Sequence, residues 1–78
     1  MQVLGVAKSE SEIQMVETRL KTAGLYDRYE GQVTGPEDAL VMVRVRDVAE
    51  KEQVKAIFED SGVIDIFYRE EDPTNPRT

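Results

Sequence analysis

The sequence predicts a single α+β domain with elements in the order β-α-β-β-α-β, and three observations lead there. Apolar residues fall either into short runs closed by polar residues or into longer stretches at helical spacing. A serine and an aspartate each stand three residues ahead of a glutamate at the head of the helical stretches. The whole series of signals occurs twice along the chain.

The first run, Val3-Leu4-Gly5-Val6-Ala7, is too short for a helix and is ended by Lys8-Ser9, so it reads as a buried strand. Ser9 opens a helix, because its hydroxyl can accept from the free amide three residues on while Glu12 reaches back. Ile13, Val16, Leu20 and Ala23 then recur at helical spacing, and Gly24 supplies a left-handed cap. Leu25 to Thr34 alternates, with Tyr29, Gly31 and Val33 on one side and Arg28, Glu30, Gln32 and Thr34 on the other, as in an edge strand with one solvated face. Gly35-Pro36-Glu37-Asp38 carries turn chemistry, and Ala39 to Val45 returns as the second arm of a hairpin. Asp47 with Glu50 repeats the helix start, Val54, Ile57 and Phe58 face the core, and Gly62 ends the helix. Val63 to Arg69 is the last strand. The expected bounds are strands near 2–7, 26–34, 39–46 and 63–69 and helices near 10–23 and 48–61.

A shift of 38 residues superposes the halves: Val3 on Val41, Ser9 on Asp47, Glu12 on Glu50, Val16 on Val54, Leu20 on Phe58, Gly24 on Gly62 and Asp27 on Asp65. Two βαβ halves with right-handed crossovers place both helices on one face of a four-stranded antiparallel sheet, the ferredoxin-like sandwich. Residues 1–70 form this domain, and 71–78, with two prolines and no apolar side chain, form a flexible tail.

Composition narrows what such a domain can do. With 78 residues, of which 40% are apolar and none is tryptophan, the chain supports one small core and a net stability on the order of 5 kcal/mol. Cysteine and histidine are both absent, which removes disulfides, thiolate chemistry, the commonest general base and the commonest transition-metal ligand. The net charge of −6 repels phosphate backbones and anionic lipid, so neither nucleic acid nor a membrane is an expected partner. Met1 to Ala7 has no basic leader and is too short to span a bilayer, which makes the cytoplasm the expected location.

The sheet face away from the helices is the informative surface. If Val41, Val43 and Val45 point at the helices, then Leu40, Met42, Arg44 and Arg46 point away, and the repeat register sends Leu4 and Val6 the same way. Leu4, Val6, Leu40 and Met42 would form an apolar patch of a few hundred Å² with Arg44, Arg46 and Arg69 as its rim, the size that marks an interaction surface on a soluble protein. Two alternatives stand beside this: a β-sheet tolerates some outward aliphatics, and a strand register displaced by one residue would return these side chains to the core.

Other constellations are weaker. The carboxylate runs Glu10/Glu12, Glu37-Asp38, Glu50/Glu52, Glu59-Asp60 and Glu70-Glu71-Asp72 suit helix starts and solvated faces rather than a converging metal or acid–base site. Tyr26, Tyr29, Phe67 and Tyr68 could stack on a base, but the glycine-aromatic signature of RNA-recognition domains is missing from Ala39 to Arg46, and edge-strand packing accounts for them better. Gly5 could admit a ligand to the backbone or leave room for a helix side chain. No phosphate loop, dinucleotide fingerprint, nucleophile elbow or metal spacing occurs, so no catalytic, cofactor-binding or metal-ligating residue is assigned.

Leu20-Lys21-Thr22-Ala23-Gly24-Leu25, Ala39-Leu40-Val41-Met42-Val43-Arg44 and Gly62-Val63-Ile64-Asp65 together resemble the small domain of bacterial general-stress proteins of the heat-induced type, over roughly Val3 to Arg69. The resemblance implies a stress-associated protein without a catalytic motif. The sequence therefore points to a non-enzymatic interaction or regulatory module that forms a homodimer, or docks on another protein domain, through its open sheet face. The alternatives are a small ferredoxin-like enzyme with a pocket at the sheet, built from Arg44, Arg46, Tyr68 or a carboxylate, and a ligand-sensing domain using the loops after Ala7 and Arg46.

Overall fold

The computed structural model describes residues 1–69, and the tail expected at 71–78 lies outside them. β1 spans Gln2–Ala7, α1 Glu10–Ala23, β2 Tyr29–Thr34, β3 Ala39–Arg44, α2 Val48–Asp60 and β4 Asp65–Arg69, with a turn of 3-10 helix at Tyr26–Arg28. The four strands form one sheet in the order β2-β3-β1-β4, and every neighbouring pair is antiparallel. This is the ferredoxin-like α+β fold.

Both helix starts are built from the same local parts. The Ser9 hydroxyl accepts from the amide of Glu12 at 3.3 Å, and the Glu12 carboxylate accepts from the amide of Lys8 at 2.8 Å. Thirty-eight residues on, Asp47 Oδ1 accepts from the amide of Glu50 at 2.9 Å, and Glu50 Oε1 accepts from the amide of Arg46 at 2.9 Å. The glutamates thus satisfy the amide one residue before the cap, so that side chains cover two different amides at each helix start. The helix ends repeat too. The amides of Leu25 and Val63 donate to the carbonyls of Leu20 and Phe58 at 2.8 and 2.9 Å, around Gly24 and Gly62 at φ +77° and +90°, where a side chain would be strained.

Three strand boundaries differ from the sequence reading, each because a backbone group is committed elsewhere. Residues 26–28 are not strand, since the Arg28 amide donates to the Leu25 carbonyl at 2.9 Å and winds the chain into a 3-10 turn. Val63 and Ile64 precede β4, because the Val63 amide is held by the cap of α2. β3 ends at Arg44, and one further ladder bond, from the Val45 amide to the Met1 carbonyl at 2.9 Å, is the last before the chain turns toward α2.

The core lies between the sheet and the helices. Val3, Val41 and Val43 from the central strands meet Val16 and Leu20 of α1 and Val54 and Phe58 of α2, all fully buried, with Val63 closing one end. Gly5 faces this core. A β-carbon there would stand 2.7 Å from both Phe58 Cδ2 and Val63 Cγ1, so the glycine is the recess into which the Phe58 ring fits.

Candidate interaction face

Directly paired residues of an antiparallel sheet share a face, so the register orders the open side into three rows across the strands. At one end Arg44, Gln2 and Arg69 stand side by side, and Glu30 of β2, outside the pairing, joins them through its side-chain contacts. The middle row is Gly31, Met42, Leu4 and Phe67. The third is Val33, Leu40, Val6 and Asp65. Two rows of mostly apolar side chains therefore lie beside one polar row.

The polar row is a continuous hydrogen-bonded chain from one sheet edge to the other. Gln2 is its centre and is 4% exposed. Its Nε2 donates to Glu30 Oε1, and its Oε1 accepts from Arg69 Nε and Nη2 at 2.9 and 2.6 Å. Arg44 donates to Glu30 Oε2 through Nε at 3.0 Å and Nη2 at 2.9 Å. The Gln2 amide first, and then the Arg44 guanidinium, hold the Glu30 carboxyl below its ordinary range.

The apolar rows are graded in exposure. Leu4 is 3% exposed although it is no part of the cluster beneath the helices: its neighbours across the strands, Met42 and Phe67, cover it from the open side. Val6, Leu40 and Met42 are half-buried, whereas Val33 and Phe67, on the two edge strands, are 59% and 47% exposed.

The structure brings Leu4, Val6, Leu40, Met42 and Arg44 onto this face and puts Arg46 elsewhere. Arg46 lies beyond β3, and its guanidinium turns to Glu50 Oε2 at 3.3 Å through Nε and 3.1 Å through Nη2. Arg28 reaches the same oxygen at 2.6 Å, so Glu50 anchors two guanidiniums. These contacts, Arg28 foremost, hold the Glu50 carboxyl down to about 2. The β2 alternation also needs correction. A bulge between Tyr29 and Gly31 makes Glu30 the extra residue and shifts the register by one, so Tyr29 packs on the core while Gly31 and Val33 lie on the open face.

Sequence reasoning missed six members of the face: Gln2, Glu30, Gly31, Val33, Asp65 and Phe67. Gln2 and Phe67 had a signal, since each continues the alternation of its strand. The aromatic residues do not assemble into a stacking platform. Tyr26 and Tyr29 stack on each other 5.5 Å apart, Lys21 lies over Tyr26, and Lys51 of α2 lies over Tyr68, which leaves Phe67 alone among them on the open side. Burial raises the Tyr29 hydroxyl to about 12, with Glu17 adding to the shift.

Two hollows lie off this face, and both are open to solvent. One runs along the outer side of the helices past Met15, Arg19, Ile57 and Asp60, and the other lies between Lys8-Ser9 and the hairpin turn at Gly35–Asp38. Among the described residues no three acidic side chains gather closely enough to hold a metal ion, and no helix is long and apolar enough to cross a membrane. No family model, no curated protein and no solved structure matches the chain.

Proposed function

We propose that this protein is a non-enzymatic interaction module that self-associates, or docks on another protein domain, through its open sheet face. The observation that carries this reading is the apolar band of Val33, Leu40, Met42, Val6 and Phe67, continuous across all four strands and set against a hydrogen-bonded polar row. Aliphatic and aromatic side chains in one band on the solvated side of a sheet cost about 25 cal/mol for each Å² left in water, and covering them is the simplest relief. The polar row supports the same reading, because its hydrogen bonds hold a fixed arrangement of charge at one end of the band for a partner to match. The resemblance to bacterial stress proteins adds a stress-associated setting to the proposal and no mechanism.

Met42→Lys tests it. The substitution places a charge at the centre of the band and should weaken assembly more than tenfold, as light scattering over a concentration series reads, while circular dichroism stays unchanged. An assembly indifferent to this change would reject the open face as the docking surface. Unfolding of the variant would show that Met42 supports the monomer, and Phe67→Lys, at a more exposed edge position, then serves as the second probe.

A further inference from the structure

Resting on the reading of the open face as a docking surface, we infer that its occupant is a second copy of this chain, seated about a two-fold axis parallel to the strands, so that Arg69 of each copy meets Glu30 of the other and each Phe67 covers the other's Gly31.

Face-to-face pairing of two identical sheets requires a two-fold axis in the plane between them, and aligned packing leaves two choices, along the strands or across them. The three rows discriminate between these. An axis across the strands keeps each strand over its own copy and exchanges the end rows. The polar row would then press on the third row: Glu30 on Val33, Arg44 on Leu40 and Gln2 on Val6. Phe67 would meet Phe67 at one edge, and two glycines would face each other at the opposite edge. Met42 and Leu4 would each meet their own copy, and Arg69 against Asp65 would be the only complementary charge pair.

An axis along the strands keeps every row over its own kind and exchanges β2 with β4 and β3 with β1. Polar groups then face polar groups, with Glu30 against Arg69 and Arg44 against Gln2. Met42 faces Leu4, and Leu40 faces Val6. The largest exposed side chain of the face, Phe67, comes over Gly31, where nothing lies within 4 Å of the place a β-carbon would take. Val33 faces Asp65, the one mismatched pair of the arrangement. Elsewhere shape and charge agree, and every contact occurs twice by symmetry.

Size sets the strength. Four strands about 4.8 Å apart and six residues long at about 3.3 Å each give a face roughly 20 Å square, so two copies cover on the order of 1,000 Å², near the lower edge of specific interfaces. A dissociation constant on the order of 10 to 100 μM is expected.

The chain contains no cysteine, so single thiols can be placed without competitors. Val33 and Asp65 lie on opposite edge strands of one copy, and the strand-parallel axis brings each over the other's equivalent. Val33→Cys and Asp65→Cys chains, mixed and treated with a bismaleimide short enough to join sheets about 10 Å apart, should give a covalent heterodimer, with far less product from either alone. An axis across the strands gives product instead from Asp65→Cys mixed with Arg69→Cys. That result, combined with loss of assembly in Met42→Lys, overturns the orientation and leaves the docking surface standing. A protein that stays monomeric near 1 mM overturns the second copy. If deletion of residues 70–78 then produces dimers, the face belongs to the chain's own last residues; if it does not, the face belongs to a different protein. Assembly unaffected by Met42→Lys defeats the docking surface itself.

Discussion

The two halves of this chain share their punctuation and differ in their bulk. Helix starts and stops coincide bond for bond under the 38-residue shift, down to the amides of Lys8 and Arg46 that donate to Glu12 and Glu50. The packing partners do not coincide. In the second half α2 carries the large Phe58 and meets Gly5 of β1; the positions equivalent to these are Leu20 of α1 and Val43 of β3, both in the core. Volume removed from the strand at Gly5 is returned on the helix at Phe58. Capping depends on backbone geometry that every helix end shares, whereas core volume is a sum over neighbours, and only the first is conserved by a repeated local signal.

Gly5→Ala should break this balance most severely. Its methyl would stand 2.7 Å from side-chain atoms of both Phe58 and Val63, and neither an aromatic ring nor a β-branched valine can swing clear. A loss of about 1 to 3 kcal/mol in chemical denaturation is expected. Adding Phe58→Leu, which recreates the residue of the other half, should recover part of that loss; no recovery would mean that the strain lies in the backbone of β1.

Next come the caps. Asp47→Ala and Ser9→Ala should each cost about 0.5 to 2 kcal/mol, with the aspartate nearer the upper value. Asp47 Oδ1 accepts at 2.9 Å and carries a charge at the helix start, whereas the Ser9 hydroxyl accepts at 3.3 Å. Equal losses would show that the shorter, charged bond confers no advantage.

A smaller effect separates Glu50 from its counterpart by pH. Glu50 draws in Arg28 and Arg46, and its carboxyl is held to about 2, below the roughly 4.3 of a free glutamate. A depressed folded-state value contributes stability that is complete above the unfolded-state value and is lost as pH falls through the folded one. The stability difference between wild type and Glu50→Gln should therefore hold steady above about pH 5 and shrink between about pH 4.5 and pH 2. A difference independent of pH would remove the carboxylate charge from the account.

What was legible in the sequence follows the same division. Both helices, their caps and the recess at Gly5 rest on neighbours close in the chain or on strict alternation, and Leu4, Val6, Leu40, Met42 and Arg44 followed from that alternation. The bulge at Glu30 was not legible, because it depends on how β2 pairs with β3, and it puts Glu30 and Val33 on the same face where alternation separates them. Arg46 was misplaced by the assumption that β3 ran two residues further, although its partner Glu50 stands only four residues on and belongs to the helix start that the sequence marks. Gln2 is polar by type and 4% exposed in fact, because Glu30 and Arg69, distant in sequence, complete its hydrogen bonds.

The most direct measurement of the central claim uses the three methionines as reporters. Met42 sits in the middle of the open face, Met15 lies on the outer side of α1, and Met1 packs against the core. With methionine methyls labelled, spectra recorded from about 10 μM to about 1 mM should show the Met42 resonance moving with concentration while Met15 and Met1 hold still. Movement of Met15 with a stationary Met42 would place the contact on the helices and contradict the account.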